Sequence, residues 1–535
     1  MKKLLVLLPL LLLNTANAHE HSIHHYHVGR AIAFVSAALT AESPKANKNR
    51  TFCKLTIDAY DKKTGKSLPA LIRATNPATK KHVVLKGPIK RDANWFTIPH
   101  KGTVSVPREK ITIEVINGLE TETAKLHLDL TNKTKHAVRV GLNRFYNAGA
   151  SGLTSGNTHL HLMRLTHREA VQYLQQVPQS DDLDILFVSV LRRIPDERTY
   201  ITNKFTAADL QRIAPKGVLL GNGEEHRHNF KGYGEGYGHV MLLNLIKLIR
   251  PVSIGPGIMR SGYDGIPLTR GIQTARKDGA TIIWCHNSYG MEDLPNFAMN
   301  RVHAQNIFDG SRTGSYNDSF YRYLDVGMKV PFSTGTDWFI YDFSRVYCPS
   351  KDVSINGWLN TLRKGKSYIT NGPFLDFRVN GKEIGDTIDL SGPTKLTIQG
   401  QGLGRMNFRQ LEVVHNGRVI QRIDAKKNGG HFAATLKSSV KVDKPGWLAL
   451  RIPLMNNKNV FGKVLYAHTS PIYIRVRGKD RFRHAEAQRM ILEMTKSTAV
   501  IKQKGKFKKD AGLKSVLKVY EQGIAAMRKR IEAAK

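Results

Sequence analysis

The sequence predicts an α/β protein: a parallel strand–helix unit in the middle, a β-sandwich on either side, and a basic helical tail. Three observations predict it. Residues 30–144 and 370–477 alternate apolar and polar side chains over short runs broken by turn residues, the period of half-buried strands. Between residues 151 and 349 the runs become wholly apolar and alternate with amphipathic stretches, as in a buried sheet covered by helices. Beyond Lys479, apolar residues recur at helical spacing among many lysines. A chain of 535 residues, 41% hydrophobic, is long enough for several domains and ample core. The expected boundaries are 1–18, 19–150, 151–349, 350–477 and 478–535.

The first residues read as a targeting segment. Lys2 and Lys3 precede an apolar run over 4–13, and Ala16-Asn17-Ala18 offers a small-x-small cleavage site. The run is short for a bilayer span, and no later run is long enough to be one. The expectation is a mature protein that is periplasmic or secreted, cut after Ala18. It would start His19-Glu20-His21, and a free amine with His in third place can chelate Cu(II) or Ni(II). A polar leader is the plain alternative.

In the first sandwich, Lys54-Leu55-Thr56-Ile57-Asp58-Ala59 and Ile111-Thr112-Ile113-Glu114-Val115 carry the alternation, and Asn76-Pro77 and Asn117-Gly118 mark turns. In the middle unit, strand candidates are the first-strand stretch ending at His161, then residues 183–188, 217–220, 239–243, 280–284, 305–308 and 329–333. Residues 168–176 and 268–277 are amphipathic. In the second sandwich, Asn380-Gly381 and Asn416-Gly417 are tight-turn signals. In the tail, Val516, Val519, Tyr520 and Ile524 fall on one helix face, and the lysines of 502–509 read as a solvated loop or a dock for an acidic polymer.

Cys53, Cys285 and Cys348 are too few for a disulfide framework, and Cys285 ends an apolar strand, the setting of a buried structural thiol. The formal charge of +39 points to anionic partners: an acidic polysaccharide, a membrane surface, or a small or polymeric anionic substrate. Export argues against nucleic acid.

Chemistry gathers in the middle unit. His159 and His161, two apart on a strand, share one face. Glu224 and Glu225 follow the strand at 217–220, His239 stands beside Gly238, His286 ends the strand at 280–284, and Asp337 follows Gly335-Thr336. In parallel α/β barrels the strand ends converge at one mouth, so residues far apart in sequence meet there. Imidazoles and carboxylates gathered in that way suit a divalent metal, Zn or Mn with Fe as a further option. Singly, each has a plain reading: a structural histidine, a turn cap, a surface acid. His226 and His228 flank Glu225 and can orient it or a substrate. Arg345 can bind an anionic group of the substrate or form a structural ion pair.

Gly156-Asn157-Thr158-His159-Leu160-His161, Gly223-Glu224-Glu225, Gly238-His239, His286-Asn287 and Gly335-Thr336-Asp337 together resemble the PHP superfamily. Tyr368-Ile369-Thr370-Asn371-Gly372-Pro373-Phe374 is similar to the segment that follows the barrel in its CehA/McbA branch. The resemblance implies a distorted (β/α)7 barrel and an exported hydrolase that uses metal-bound hydroxide on an ester, carbamate, amide or phosphoester. It assigns His159, His161, Glu225, His286 and Asp337 to the metal and His239 to the metal or the substrate; no separate general base stands out, and Asp337, His239 or His228 could move the proton. His167, six past His161, matches a ligand of some members. Three family positions differ: Asn157 stands for a common Asp, Val190-Leu191 for an Asp-His pair, and Phe339 for a His. One or two ions are therefore expected rather than three. A degenerate barrel that binds acidic polysaccharide without catalysis is the alternative function.

Overall fold

Alternation explains the first sandwich directly. In Phe52–Asp61, Cys53, Leu55, Ile57 and Ala59 face inward while the residues between them face out. This strand pairs antiparallel with Gly102–Pro107 and parallel with Lys135–Leu142. A second sheet runs through Ile89–Lys90, Phe96–Ile98, Ala70–Thr75, Lys110–Ile116 and Ala124–Asp129. One apolar cluster takes inward side chains from both sheets. The computed structural model describes residues 51–192, 200–230, 233–255, 263–288, 290–311, 314–350, 352–455 and 457–534, all within one unit that begins at Ala46. The expected signal peptide and the His19-Glu20-His21 start lie outside the described residues.

The middle region is mixed α/β. Leu153–His161 pairs parallel with Ile185–Val190, and that strand with Leu219–Phe230. Thr281–Trp284, Ala304–Asn306 and Phe332–Ser333 follow one another in parallel. Asp337–Trp338 then pairs parallel with Leu160 and His161, so the hydrogen bonding returns to the first strand. Capping boxes start two of the covering helices: Thr166 with Glu169 for His167–Ser180, and Thr206 with Asp209 for Ala207–Ile213.

The arrangement departs from a regular strand–helix repeat at one place. Tyr233–Leu243 runs antiparallel to both Leu219–Phe230 and Thr281–Trp284. A hairpin stands where parallel strands were expected. The strand expected at 217–220 extends to Phe230, so Glu224 to His228 lie within it rather than after it. Their run of charged residues reads as a loop because polar groups occupy both faces of the strand.

The sheet continues beyond the expected border at 349/350. Arg345–Pro349 pairs antiparallel with residues 153–156 on one side and with Tyr368–Thr370 on the other, and Tyr368–Thr370 pairs with Ala467–Thr469. A four-stranded sheet, built from Phe374–Val379, Thr394–Gly404, His431–Val442 and Lys426–Asn428, shares the core of this second β region. The tail forms two helices, His484–Lys504 and Asp510–Ala533. Their Met490, Met494, Val516, Val519, Tyr520 and Met527 are buried in the middle region's core. Gly523 lies against Pro295, where a Cβ would approach to 2.5 Å. No helix among the described residues is long and apolar enough to cross a membrane. Cys53, Cys285 and Cys348 are free and buried.

The strand that carries the histidine pair is pressed against helix Ile355–Arg363. The Trp358 indole donates to the Thr154 carbonyl at 3.0 Å, and a Cβ on Gly156 would sit 2.3 Å from that ring. Gly156→Ala is therefore expected to cost about 1–3 kcal/mol through overpacking. The check is the urea midpoint: a lower value at unchanged slope is expected, and an unchanged midpoint contradicts this packing.

Candidate metal centre

Strand alternation sends Glu225, Arg227 and Asn229 to one face of Leu219–Phe230 and Glu224, His226 and His228 to the other. Arg227 stands directly across from His239 on the neighbouring strand. His159 and His161 share a face of the first strand, and their Nε2 atoms converge to 3.1 Å. Asp337 arrives through the Gly335-Thr336 turn with φ of 60°, and His286 stands two residues past its strand at φ of 56°. Left-handed backbone at two such residues fits a site where side-chain direction outweighs local ease. Gly335 permits the approach, because a Cβ there would meet the Cβ of His159 at 2.6 Å.

Each imidazole is oriented from behind. His159 Nδ1 faces Asp309 Oδ2 at 2.9 Å, and His161 Nδ1 faces the Ser189 carbonyl at 2.9 Å. His286 Nδ1 lies 3.2 Å from Asp309 Oδ1, and His239 Nε2 lies 3.1 Å from Asn229 Oδ1. Acceptors in those places put the ring proton on the outer nitrogen and leave the inner nitrogen with its lone pair. The inner atoms then meet carboxylates. Glu225 Oε2 is 3.0 Å from His161 Nε2 and 3.7 Å from His159 Nε2, and Asp337 Oδ1 is 3.4 Å from His159 Nε2. Glu225 Oε1 is 3.2 Å from His239 Nδ1 and 3.6 Å from His286 Nε2.

Two candidate cation positions share Glu225; a third grouping, His159, His286 and Asp309, consists of Nδ1–carboxylate hydrogen bonds and is read as orienting the rings. His159, His161, Glu225 and Asp337 frame the first; Glu225, His239 and His286 frame the second. All six residues are buried. Asp337 Oδ1 accepts no hydrogen bond among the described residues, although a buried carboxylate oxygen left that way is costly. Lone pairs converging on an unsatisfied carboxylate oxygen fit a divalent cation, and the mixed N and O donor set suits Zn, Mn or Fe.

The electrostatics agree. Burial disfavours a charged His159, yet Asp337 and the hydrogen bond to Asp309 hold its pKa well above the ordinary value. Burial would raise Glu225, but Arg227, 3.3 Å away, and the surrounding imidazoles hold it well below the usual carboxylate range. Asp309 is likewise lowered against its burial, by His286 and His159. Burial pushes the Cys285 thiol up to about 12, consistent with a structural thiol.

The remaining expected residues lie elsewhere. His228 is on the far face of its strand, with Nε2 3.0 Å from Asp264 Oδ1 and Nδ1 2.9 Å from the Ile266 carbonyl. That placement removes it from proton transfer at the cluster. His226 pairs with Glu224 at 2.9 Å on the same far face, so neither histidine orients Glu225. Arg345 is buried, its guanidinium donating to the carbonyls of Asp181, Asp182 and Phe343; it clamps main chain and does not reach the site as an anion contact. His167 is exposed at a helix start beside the Phe205 ring.

Asp309 was not among the expected residues. Its signal was the same as the others', a carboxylate directly after the strand candidate 305–308. The aromatic wall beside His161 was also unforeseen. Tyr200 and Trp338 lie 6.4 and 5.6 Å from its ring, and Leu191, Met163 and Phe339 complete the patch. Leu191 and Phe339 are two of the positions where the family resemblance anticipated ligands, so apolar surface stands there instead.

No family model matches the chain, and no curated protein matches it. Among solved structures, a two-domain protein containing a predicted PHP-like metal-dependent phosphoesterase from Bacteroides vulgatus ATCC 8482 is similar over 60% of this chain and 96% of its own, at 13% identity and a TM-score of 0.32. Likeness at that level assigns no family.

A pH signature follows for the cation-free protein. His159 has a raised folded pKa, so its contribution to stability is full below about 6.5, its unfolded value, and is lost as pH rises through the folded value. Glu225 and Asp309 have lowered values, so theirs is present above about 4 and lost on acidification. Tm in EDTA is expected to decline from pH 6 to pH 9, and Mn2+ or Zn2+ to restore it at the alkaline end. A Tm independent of metal at pH 9 contradicts the assignment.

Proposed function

We propose that this chain is a metal-dependent hydrolase acting on an ester, carbamate, amide or phosphoester. The observation that carries the reading is the convergence of oriented imidazole nitrogens on Glu225 and on the unsatisfied Asp337 Oδ1. His159, His161, Glu225 and Asp337 would hold one divalent ion, and Glu225, His239 and His286 a second. Such an ion, when bound, polarises an acceptor oxygen and lowers the pKa of water.

The chain's own residues supply the rest. Asp309 fixes the rings of His159 and His286, and Ser189 and Asn229 fix those of His161 and His239. Arg227 keeps Glu225 ionised. Of the candidate proton carriers, Asp337 and His239 stand at the cluster. Trp338 and Tyr200 offer an apolar face to a substrate group and keep water from that side. The order of the histidine and carboxylate motifs supports a place in the PHP superfamily and, more narrowly, its CehA/McbA branch. The signal-like start supports a periplasmic or secreted location.

A second reading, non-catalytic binding of acidic polysaccharide, is favoured by one surface. On the exposed sheet face, Lys395 stands directly opposite Lys441, and Gln399 opposite Lys437. Facing like charges disfavour each other unless an anion lies across them.

The test is a panel of chromogenic esters and phosphoesters assayed with Mn2+ or Zn2+. Glu225→Gln and His286→Ala are expected to lower turnover by about 100-fold or more, and Asp309→Ala by about 10–100-fold. Turnover that survives Glu225→Gln overturns the assignment of hydrolysis to this cluster. Salt-sensitive retention on an anionic glycan with no turnover of any panel member establishes the second reading.

A further inference from the structure

The C-terminal helices do more than cover the core. The turn between them, residues 505–509, lies against residues 263–267. The Lys506 N–H donates to Asp264 Oδ2 at 2.7 Å, and the Asp264 N–H donates to the Lys506 carbonyl at 2.8 Å. Gly265 and Gly512 touch: a Cβ on either would lie 3.0 Å from the other's Cα. Lys508 Nζ sits over the Tyr263 ring at 4.1 Å.

Asp264 carries this contact inward. Its Oδ1 faces His228 Nε2 at 3.0 Å, and its carbonyl accepts from the Tyr237 hydroxyl at 2.5 Å. The His228 and Tyr237 rings are 4.3 Å apart. Thus one buried residue ties the tail turn to both strands of the Leu219–Phe230 and Tyr233–Leu243 hairpin, Asp264 reaching His228 through its carboxylate and Tyr237 through its main-chain carbonyl. The face opposite His228 presents Glu225, Arg227 and Asn229. Asn229, the residue next to His228, holds the His239 ring at 3.1 Å. A continuous path runs from Lys506 N through Asp264 to His228, along the chain to Asn229, and on to His239 Nε2. The helices either side of the turn are anchored in the core by Ile501 and Val516, so the turn is a fixed post rather than a loose strand.

We propose that the C-terminal helical hairpin sets the cation affinity of the Glu225–His239–His286 position, with Asp264 as the positioning residue that transmits it. The inference rests on the reading of the cluster as a metal centre. It gives the tail a role at the site that its lysine-rich composition conceals, since the operative group is a main-chain N–H.

That feature supplies a sharp test in the full-length protein. Lys506→Pro deletes the N–H, and Gly505 before it already has an extended conformation, φ −67° and ψ 145°, which proline accepts in its predecessor. Lys506→Ala keeps the N–H and removes only the side chain. Mn2+ binding would be followed by titration calorimetry, with His239→Ala marking the equivalent bound at the second position. Lys506→Pro and Asp264→Asn are expected to weaken that same equivalent by about 10-fold or more. The other equivalent should stay at its wild-type value, and Lys506→Ala should bind as wild type does. Wild-type affinity for both equivalents in Lys506→Pro and Asp264→Asn overturns the clamp. Equal weakening of both equivalents with a lowered cation-free Tm also overturns it, because the contact is then merely structural. Wild-type protein that binds no Mn2+ overturns the reading of the cluster and the clamp with it.

Discussion

A buried carboxylate cannot stand among inward-pointing lone pairs without a positive charge to share. Glu225 is that carboxylate, and much of the middle region answers to it. Two strands deliver His159, His161 and His239 to its two oxygens, a strained turn delivers His286, and Arg227 supplies fixed positive charge beside it. Without a cation, a protonated His159 can meet the requirement up to its raised pKa; a divalent ion could meet it above that as well. Positive φ at Asp337 and His286 and an unsatisfied Asp337 oxygen coincide here, among titratable groups, and strain in such company fits a functional site.

Orientation is separated from coordination. The residues that touch the candidate cation positions are held by a second set that does not: Asp309, the Ser189 carbonyl and Asn229. Asp309 is economical, because its two oxygens fix two rings on different strands. The outer face of the Glu225 strand repeats the principle with structural pairs, His226 on Glu224 and His228 on Asp264. One strand thus carries two polar faces with different duties, and the tail helices brace the outer one.

Much of this was legible in the sequence, and the failures are instructive. His159 and His161 declared a shared face through their spacing, and His286 and Asp337 declared themselves by following apolar runs. The choice of Glu225 over Glu224 came from the Gly-x-Glu register and places the carboxylate where the histidines converge. His228 was misplaced because the strand was expected to end at Leu220; extended to Phe230, its alternation puts His228 on the far face. Arg345 was legible only as a charge, since nothing in a sequence distinguishes a guanidinium bound to carbonyls from one awaiting an anion. Asp309 obeyed the strand-end rule, but its run, 305–308, was read without the acid that ends it. The hairpin at Tyr233–Leu243 escaped because its apolar half resembles a parallel strand and its direction depends on partners distant in sequence. The border at 349/350 followed a change of texture, whereas the hydrogen bonding of Arg345–Pro349 ignores that change.

The most direct measurement is crystallography of the Mn2+-soaked protein with data collected on either side of the manganese absorption edge. Two anomalous peaks are expected, one among His159, His161, Glu225 and Asp337 and one among Glu225, His239 and His286. A fully soaked crystal with no peak at Glu225, or with Asp337 and His286 turned away from it, would contradict the account.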